Sequence, residues 1–336
     1  MGRCCSFLVG YRVKQKMKKK VSIIIPAYKV EDYIEHAIRS CIEQTYANIE
    51  IVVVDDGSPD KTWNVIQEMA IQDVRVYAMQ QQNQGVSMAR NTAMKAATGE
   101  FMIFLDSDDW LEPDAVESLL QWQEQHPDKL VMSGKNFAYL DKNKNIECVR
   151  QHIGEPCQEV DRETAMLQIS EGIGLTSGCY KIFRSEIIQK HKIEFDTDIY
   201  HGEDGLFVFR YLHYTKGLYF CPKPLWNILE RPQSATTGGY NKRWLTAEIA
   251  VDRMMQCENT EAVQKFLQIY KIDRIVMVMR AALETGAQDT ARGLQKKLQK
   301  YTQIYLNSKS TKRRKIYFIG MAYLPLVVLR KILYLV

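Results

Sequence analysis

Two acidic clusters stand about fifty residues apart in this chain, Asp55-Asp56 in "VVVDDGS" and Asp106-Ser107-Asp108-Asp109 in "FLDSDDW". Three carboxylates within four residues repel one another, so the second cluster is costly unless a cation or a dipole compensates it. Oxygen-only donors at a strand end suit Mg²⁺ or Mn²⁺, held through one or two carboxylates with phosphates completing the shell. The other reading is a solvated acidic turn in which Asp109 caps the helix near Pro113. In the first cluster, one aspartate can cap the turn through "DGS", where Gly57 can take positive φ, while its neighbour points into a cleft. An ionised carboxylate there can accept hydrogen bonds from a nucleobase imide or a ribose. A third acidic group, Glu203-Asp204 in "YHGEDGLFVFRYL", opens a predicted helix, and Asp204 could simply stabilise the N-terminus of that helix.

The surrounding elements put these residues on one rim. "VSIIIPAY" is a short β-branched run stopped by Pro26, which reads as a buried strand. "VEDYIEHAIRSCIEQT" places Tyr33, Ile34, Ala37, Ile38, Cys41 and Ile42 at helical spacing. "IEIVVVDD", "KTWNVIQEMAIQ", "VRVYAMQ", "GVSMARNTAMKAA" and "EFMIFLDSDDW" continue the alternation of strand and helix, with the helix after Gly85 stopped at Thr98-Gly99. Four strand and helix alternations with short connectors predict an α/β domain with a parallel, doubly wound sheet covered on both faces. Ligands in such sheets bind outside the carboxyl ends of the strands, where Pro26-Ala27-Tyr28, Asp55-Asp56 and Asp106 to Asp109 all fall. From about residue 111 the alternation breaks: "EPDAVESLLQWQEQ" reads as a helix, "KLVMSGKNFAYL" as a strand, "DKNKNIE" as a polar turn and "DRETAMLQIS" as a helix. After about residue 240 the chain is helical and Lys-rich, with no strand signals.

Taken together, "VSIIIPAYKVEDYIEHAIRSCIEQTYANIEIVVVDDGSPDKT" and "NQGVSMARNTAMKAATGEFMIFLDSDDW" resemble the glycosyltransferase family 2 domain, of GT-A fold, over roughly residues 20 to 235. The resemblance implies a Rossmann-like, mostly parallel sheet flanked by helices, with a helical C-terminal extension. It implies that Pro26, Ala27, Tyr28 and Asp56 cradle the base of a nucleotide sugar, UDP-linked by expectation, with Asn83 nearby and Arg90 approaching the diphosphate. Asp106 and Asp108 become the acidic motif, Asp108 the direct ligand of Mn²⁺ or Mg²⁺. Asp204 becomes the base that deprotonates an acceptor hydroxyl in an inverting transfer, and Glu203 a positioning carboxylate. "RPQSATT" resembles the loop that closes over the donor, with Arg231 and Ser234 as its contacts; a flexible linker is the other reading. Processive members carry Q-x-x-R-W, whereas "YNKRW" has Tyr240 in place of the glutamine, so a single addition is expected. Arg90 on an amphipathic helix could instead be solvated, and His201 reads as local structure.

At 336 residues and 46% hydrophobic content there is ample core for a main domain plus extra elements. The expected division is a basic extension over 1–20, a nucleotide-sugar half over 21–110, an acceptor half over 111–238 and a helical region over 239–336. The +5 net charge is concentrated at the ends, six basic residues in 11–20 and five in 309–315. That pattern disfavours a broad nucleic-acid face and suits peripheral contact with an anionic inner leaflet, hence a cytoplasmic, membrane-apposed protein acting on a lipid-linked or polysaccharide acceptor, as in capsule assembly. "MGRCCS" matches the short myristoylation pattern, with Met17 as an alternative start, and "FLV" is too short for a signal-peptide core. Eight scattered cysteines without a CxxC pair point to free thiols in a reducing compartment. "IYFIGMAYLPLVVL", interrupted by Pro325 and then by Arg330 and Lys331, reads as an interfacial helix or helix pair, since a span needs about twenty apolar residues. The alternative reading of the whole chain is a non-catalytic scaffold that keeps the fold; the joint presence of Asp56, Asp108 and Asp204 argues against it.

Overall fold

A computed structural model describes residues 19–140, 146–152, 158–168, 176–230 and 240–333. The proposed myristoylation signal, Arg231 and Ser234 lie outside them. β1 (Val21–Ala27) is buried at all seven positions because it is central, paired in parallel with β2 (Ile49–Asp55) on one side and with β4 (Phe101–Phe104) on the other. A strand covered on both faces has no polar side to present, which is why "VSIIIPA" does not alternate. β3 (Val76–Gln80) extends the parallel set beyond β2. The crossovers are α1 (Ile34–Ile42), α2 (Thr62–Gln72) and α3 (Val86–Ala96). On α1, Ile34, Ala37, Ile38 and Cys41 are buried and Tyr33 and Ile42 partly so, as the spacing predicted.

The parallel pattern holds for β3-β2-β1-β4, and the second half of the sheet is mixed. Its order continues through β9 (Lys181–Arg184), β6 (Leu130–Leu140) and β10 (Gly217–Glu230) to β5 (Trp110–Leu111), with β7 (Ile146–His152) on β6 and β8 (Gln158–Asp161) on β10. β9 runs antiparallel to β4 and β6, while β6 and β10 are parallel. This is where the sequence alternation broke, and the sheet changes character there. α4 (Ala115–Gln125), α5 (Arg162–Leu167) and α6 (Ser185–Lys190) cover this half.

α7 (Glu203–Leu212) is seated by an aromatic cluster. Phe207 stacks on Phe195 at 4.1 Å and meets Phe104 of β4 edge-on at 5.5 Å, and Phe183 packs on both Phe207 and Tyr211. That packing brings the first turn of α7 to the carboxyl end of β4. Beyond residue 240, a 3-10 turn (Lys242–Leu245) leads into α8 (Thr246–Cys257), α9 (Glu261–Glu284), α10 (Gln288–Lys300), α11 (Thr302–Leu306), α12 (Lys312–Tyr323) and α13 (Leu326–Leu333). Much of this region closes around its own core, including Ile275, Met279, Leu298, Phe318 and Met321, while Val251, Met254, Val263 and Leu267 join the main one.

Candidate active site

β4 ends at Phe104, and residues 105–109 form a turn closed by the Asp109 N–H donating to the Asp106 carbonyl at 3.0 Å. Asp106 is 43% exposed, and Asp108 is partly exposed. Asp109 is buried and does not cap α4: its Oδ1 accepts from the Leu229 N–H at 2.9 Å, tying the acidic turn to β10. Burial, with the charges of Asp106 and Asp108 added, pushes the Asp109 carboxyl well above the usual range.

Arg90 is the hub of the site. It lies on the inner face of α3, 4% exposed, and its Nη2 donates to Asp106 Oδ1 at 2.9 Å. Its Nη1 bonds Asp204 Oδ1 and lies 3.8 Å from Glu203 Oε1. The guanidinium also rests over the Phe195 ring at 5.1 Å. A reciprocal pair of hydrogen bonds from Asn91 to the Phe195 backbone, at 2.8 and 2.9 Å, holds that ring in place. Arg90 is therefore not the solvated arginine of an ordinary amphipathic helix. Burial opposes its charge, but Asp204 and Asp106 outweigh it and raise its pKa further.

The pair opening α7 does not cap its own helix through side chains; the N-cap is Gly202, in the left-handed region. Asp204 Oδ2 accepts instead from the Gly178 N–H at 3.1 Å. Burial pushes the Glu203 carboxyl up to about 7, with the adjacent Asp204 charge adding to it and Arg90 opposing. Burial likewise raises Asp204, against the pull of Arg90. The turn that supplies Gly178 is anchored by Lys181, a wholly buried lysine whose Nζ donates to the carbonyls of Ser177 at 2.6 Å and Cys179 at 3.3 Å. Burial brings its pKa down to about 7. Sequence reasoning missed Gly178, Lys181 and Asn91: a lysine opening "KIFR" carries no signal that it will be enclosed.

At the neighbouring strand ends, the Asp56 N–H donates to the Ala27 carbonyl at 2.8 Å, joining Pro26-Ala27-Tyr28 to the end of β2. Asp55 caps the turn, accepting from Ser58 N–H at 3.2 Å and Gln80 Nε2 at 2.9 Å, and its buried Oδ1 has no partner among the described residues. Gly57 takes φ +70, and a Cβ there would come within 2.9 Å of the Asn83 nitrogen, so only glycine fits. Asp56 is not turned to open solvent. It accepts from Gln81 Nε2 at 2.8 Å, Gln84 N–H at 2.9 Å and Gly85 N–H at 2.8 Å, and so fixes the loop that starts α3. Tyr28 is exposed, with the Lys29 ammonium over its ring at 5.2 Å.

The helical region reaches the same rim. Thr246 Oγ1 accepts from the backbone N–H groups of Tyr200 at 3.0 Å and His201 at 3.2 Å, just ahead of Glu203. Arg243 lies over Tyr200 at 4.6 Å and Trp244 beside His201 at 4.9 Å, so the Arg-Trp pair and His201 both help to build this edge. Thus Arg90, Asp106, Glu203 and Asp204 converge, and the Asn83 backbone lies against Gly57, the residue after Asp56. Among the described residues, no group of three or more His, Cys, Asp or Glu is gathered to hold a metal alone. A part-exposed Asp106 with Arg90 on one oxygen, two residues from a part-exposed Asp108, fits a hard cation that draws the rest of its shell from phosphate and water.

The curled α/β sheet flanked by helices, with its helical C-terminal region, matches the fold of solved GT-A glycosyltransferases. The chain superposes on Staphylococcus aureus TarS 1–349 in complex with UDP-GlcNAc with a TM-score of 0.59, at 19% identity, covering 94% of this chain and 86% of that one. A mannosyltransferase of Pyrobaculum calidifontis, solved with GDP-Man and Mn²⁺, aligns at a TM-score of 0.50 and 17% identity over 95% and 85% of the two chains. Residues 22–192 match the sequence profile of glycosyl transferase family 2, and the chain belongs to that family. It is 32% identical to EpsH of Bacillus subtilis over 62% of this chain and 60% of that protein. It is 41% identical to chondroitin synthase of Escherichia coli over 33% and 17% of the two chains. The alignments thus span at most about 60% of these relatives' lengths.

Proposed function

We propose that the chain transfers a single hexose or N-acetylhexosamine from a nucleotide sugar, UDP-linked, to a lipid-linked or polysaccharide acceptor, with inversion at the anomeric carbon. The observation that carries this reading is the bridge by which Arg90 links Asp106 at the end of β4 to Asp204 at the start of α7. It sets a candidate base beside a candidate diphosphate site. Asp204 takes the proton of the acceptor hydroxyl as that oxygen attacks the anomeric carbon; the bond to the diphosphate breaks, and its electron pair leaves with the nucleoside diphosphate. A carboxylate has about four lone-pair sites, so the bonds from Arg90 and Gly178 leave Asp204 room to accept that proton. Glu203 positions the acceptor, and Arg90 holds Asp204 in place and faces the diphosphate. Pro26, Ala27, Tyr28, Asp56 and Asn83 form the base end. A divalent ion, Mn²⁺ or Mg²⁺, held by Asp108 and Asp106 would neutralise charge on the departing diphosphate. The relatives, a chondroitin synthase among them, support a role in polysaccharide synthesis.

The test is donor binding and hydrolysis across UDP-, GDP- and dTDP-sugars, with Mn²⁺ or with chelator, on the wild type and Asp108→Ala. Metal-dependent turnover of one donor, lost in the variant, is expected and would name the sugar. If no donor binds under any metal condition, the non-catalytic scaffold becomes the better reading.

A further inference from the structure

The C-terminal helix pair plays no part in the site, yet it is unusual in what it turns to solvent. α12 buries Phe318, Met321 and Ala322, a row at helical spacing that packs into the core of the C-terminal region. On its outer side Ile316 is 73% exposed and Tyr323 53% exposed. These two are seven residues apart, about two turns, so they lie on one face. The chain then breaks at Leu324-Pro325, and α13 repeats the pattern: Leu329 is buried, while Val327 is 66% exposed and Val328 is also open. A soluble helix needs one apolar row; these two also turn Ile316, Tyr323, Val327 and Val328 outward, none of them part of a buried cluster among the described residues, with only the Tyr323 hydroxyl tethered, 2.9 Å from Thr302 Oγ1.

The charge around these rows is of one sign. Between residues 309 and 331 there are seven Lys and Arg and no Asp or Glu. Lys309, Lys312, Arg313, Arg314 and Lys331 are exposed. No helix among the described residues is long and apolar enough to cross a membrane. Exposed apolar side chains flanked by cations on short helices suit the boundary between headgroups and acyl chains, where apolar burial and attraction to anionic lipid act together. A protein partner would need a matching acidic and apolar groove; an anionic bilayer supplies both features without shape matching. We propose that the outer face of α12 and α13 is a docking surface for an anionic lipid bilayer, lying in the interface through Ile316, Tyr323, Val327 and Val328 with Lys312 and Arg313 on the headgroups. This rests on the helix pair alone and stands whether or not the transfer reaction does.

Flotation of the full chain with vesicles tests it. At 0.15 M salt the wild type should float with phosphatidylcholine vesicles containing 30% phosphatidylglycerol and stay behind with pure phosphatidylcholine. The double variant Lys312→Glu/Arg313→Glu should bind the anionic vesicles at least about tenfold more weakly, and Ile316→Ser/Val327→Ser should also weaken binding to the anionic vesicles while leaving its salt dependence unchanged. All four positions are exposed, so circular dichroism and melting temperature should match the wild type, which separates lost docking from lost folding. The proposal is overturned if the wild type does not float with anionic vesicles, or if both variants float as well as it does. It is equally overturned if sedimentation shows that the Ile316/Val327 pair breaks a dimer while vesicle binding is unchanged, since the face would then be a contact between copies.

Discussion

The two ends of the same strands treat carboxylates in opposite ways. At the amino rim, Glu50 of β2 is buried and saturated. Its oxygens accept from Ser22 Oγ at 2.6 Å, Thr98 N–H at 2.5 Å, Thr98 Oγ1 at 2.8 Å and Gly99 N–H at 3.1 Å, and the Lys20 ammonium sits 2.5 Å away. Burial alone would push this carboxyl up, but Lys20, Ser22 and Thr98 outweigh it and hold it down to about 2. A Cβ on Gly99 would strike Ser22 Oγ at 2.5 Å, so the network also dictates a glycine. At the carboxyl rim, Asp106, Glu203 and Asp204 share the single guanidinium of Arg90, while Asp109 has one backbone donor, and burial raises Asp109, Glu203 and Asp204. The amino rim is built for stability. Around Arg90 the other rim instead gathers three carboxylates on one cation, unlike Asp56 nearby with its three donors, and that excess of negative charge is what a substrate with hydroxyls, or a cation with phosphates, can relieve.

Three substitutions probe this contrast. Asp204→Asn should lower kcat by about 10²–10⁴-fold while leaving the melting temperature nearly unchanged, as expected of a base; an equal loss of stability would move Asp204 to the structural side. Glu50→Gln should do the reverse, costing about 3 kcal/mol at neutral pH with kcat/KM unaltered. Its pH signature follows from the depressed folded value. The Glu50 contribution is complete above its ordinary pKa of 4.5 and is lost as pH falls toward about 2. Urea midpoints between pH 6 and 2.5 should therefore converge for wild type and variant; a constant gap would mean that Glu50 acts through packing alone.

Glu203 should give the smallest effect and the opposite slope. Its folded pKa of about 7 lies above the ordinary 4.5, so the folded state binds more protons between these values and stability falls as pH rises across that window. Glu203→Gln removes this slope, so the variant should gain on the wild type between pH 4.5 and 7. The gain should be less than the Glu50 loss, because Glu203 is 15% exposed against 4% for Glu50 and its charge is the better screened.

Much of this was legible in the residues themselves. A buried β-branched run needs no tertiary context to be read as a central strand, and glycines at 57 and 85 mark turns whose φ is positive. "DDG" and "DSDD" announced the rim because several carboxylates in sequence are costly anywhere else. The helix pair at 316–333 was also visible, since Pro325 cannot continue a helix.

What the residues could not decide was partnership. Arg90 could have been solvated, Asp109 could have been a cap, and Asp56 could have faced an open cleft. The fold enclosed Arg90 between Asp106 and Asp204, turned Asp109 to Leu229 and turned Asp56 onto the 81–85 loop. Lys181 became a buried anchor only because β9 inserts between β4 and β6. Hydrophobic periodicity and turn chemistry are local and survive in sequence. Which charge meets which is settled by strand order and helix packing across more than a hundred residues, as between Arg90 and Asp204, and only the tertiary structure holds that information.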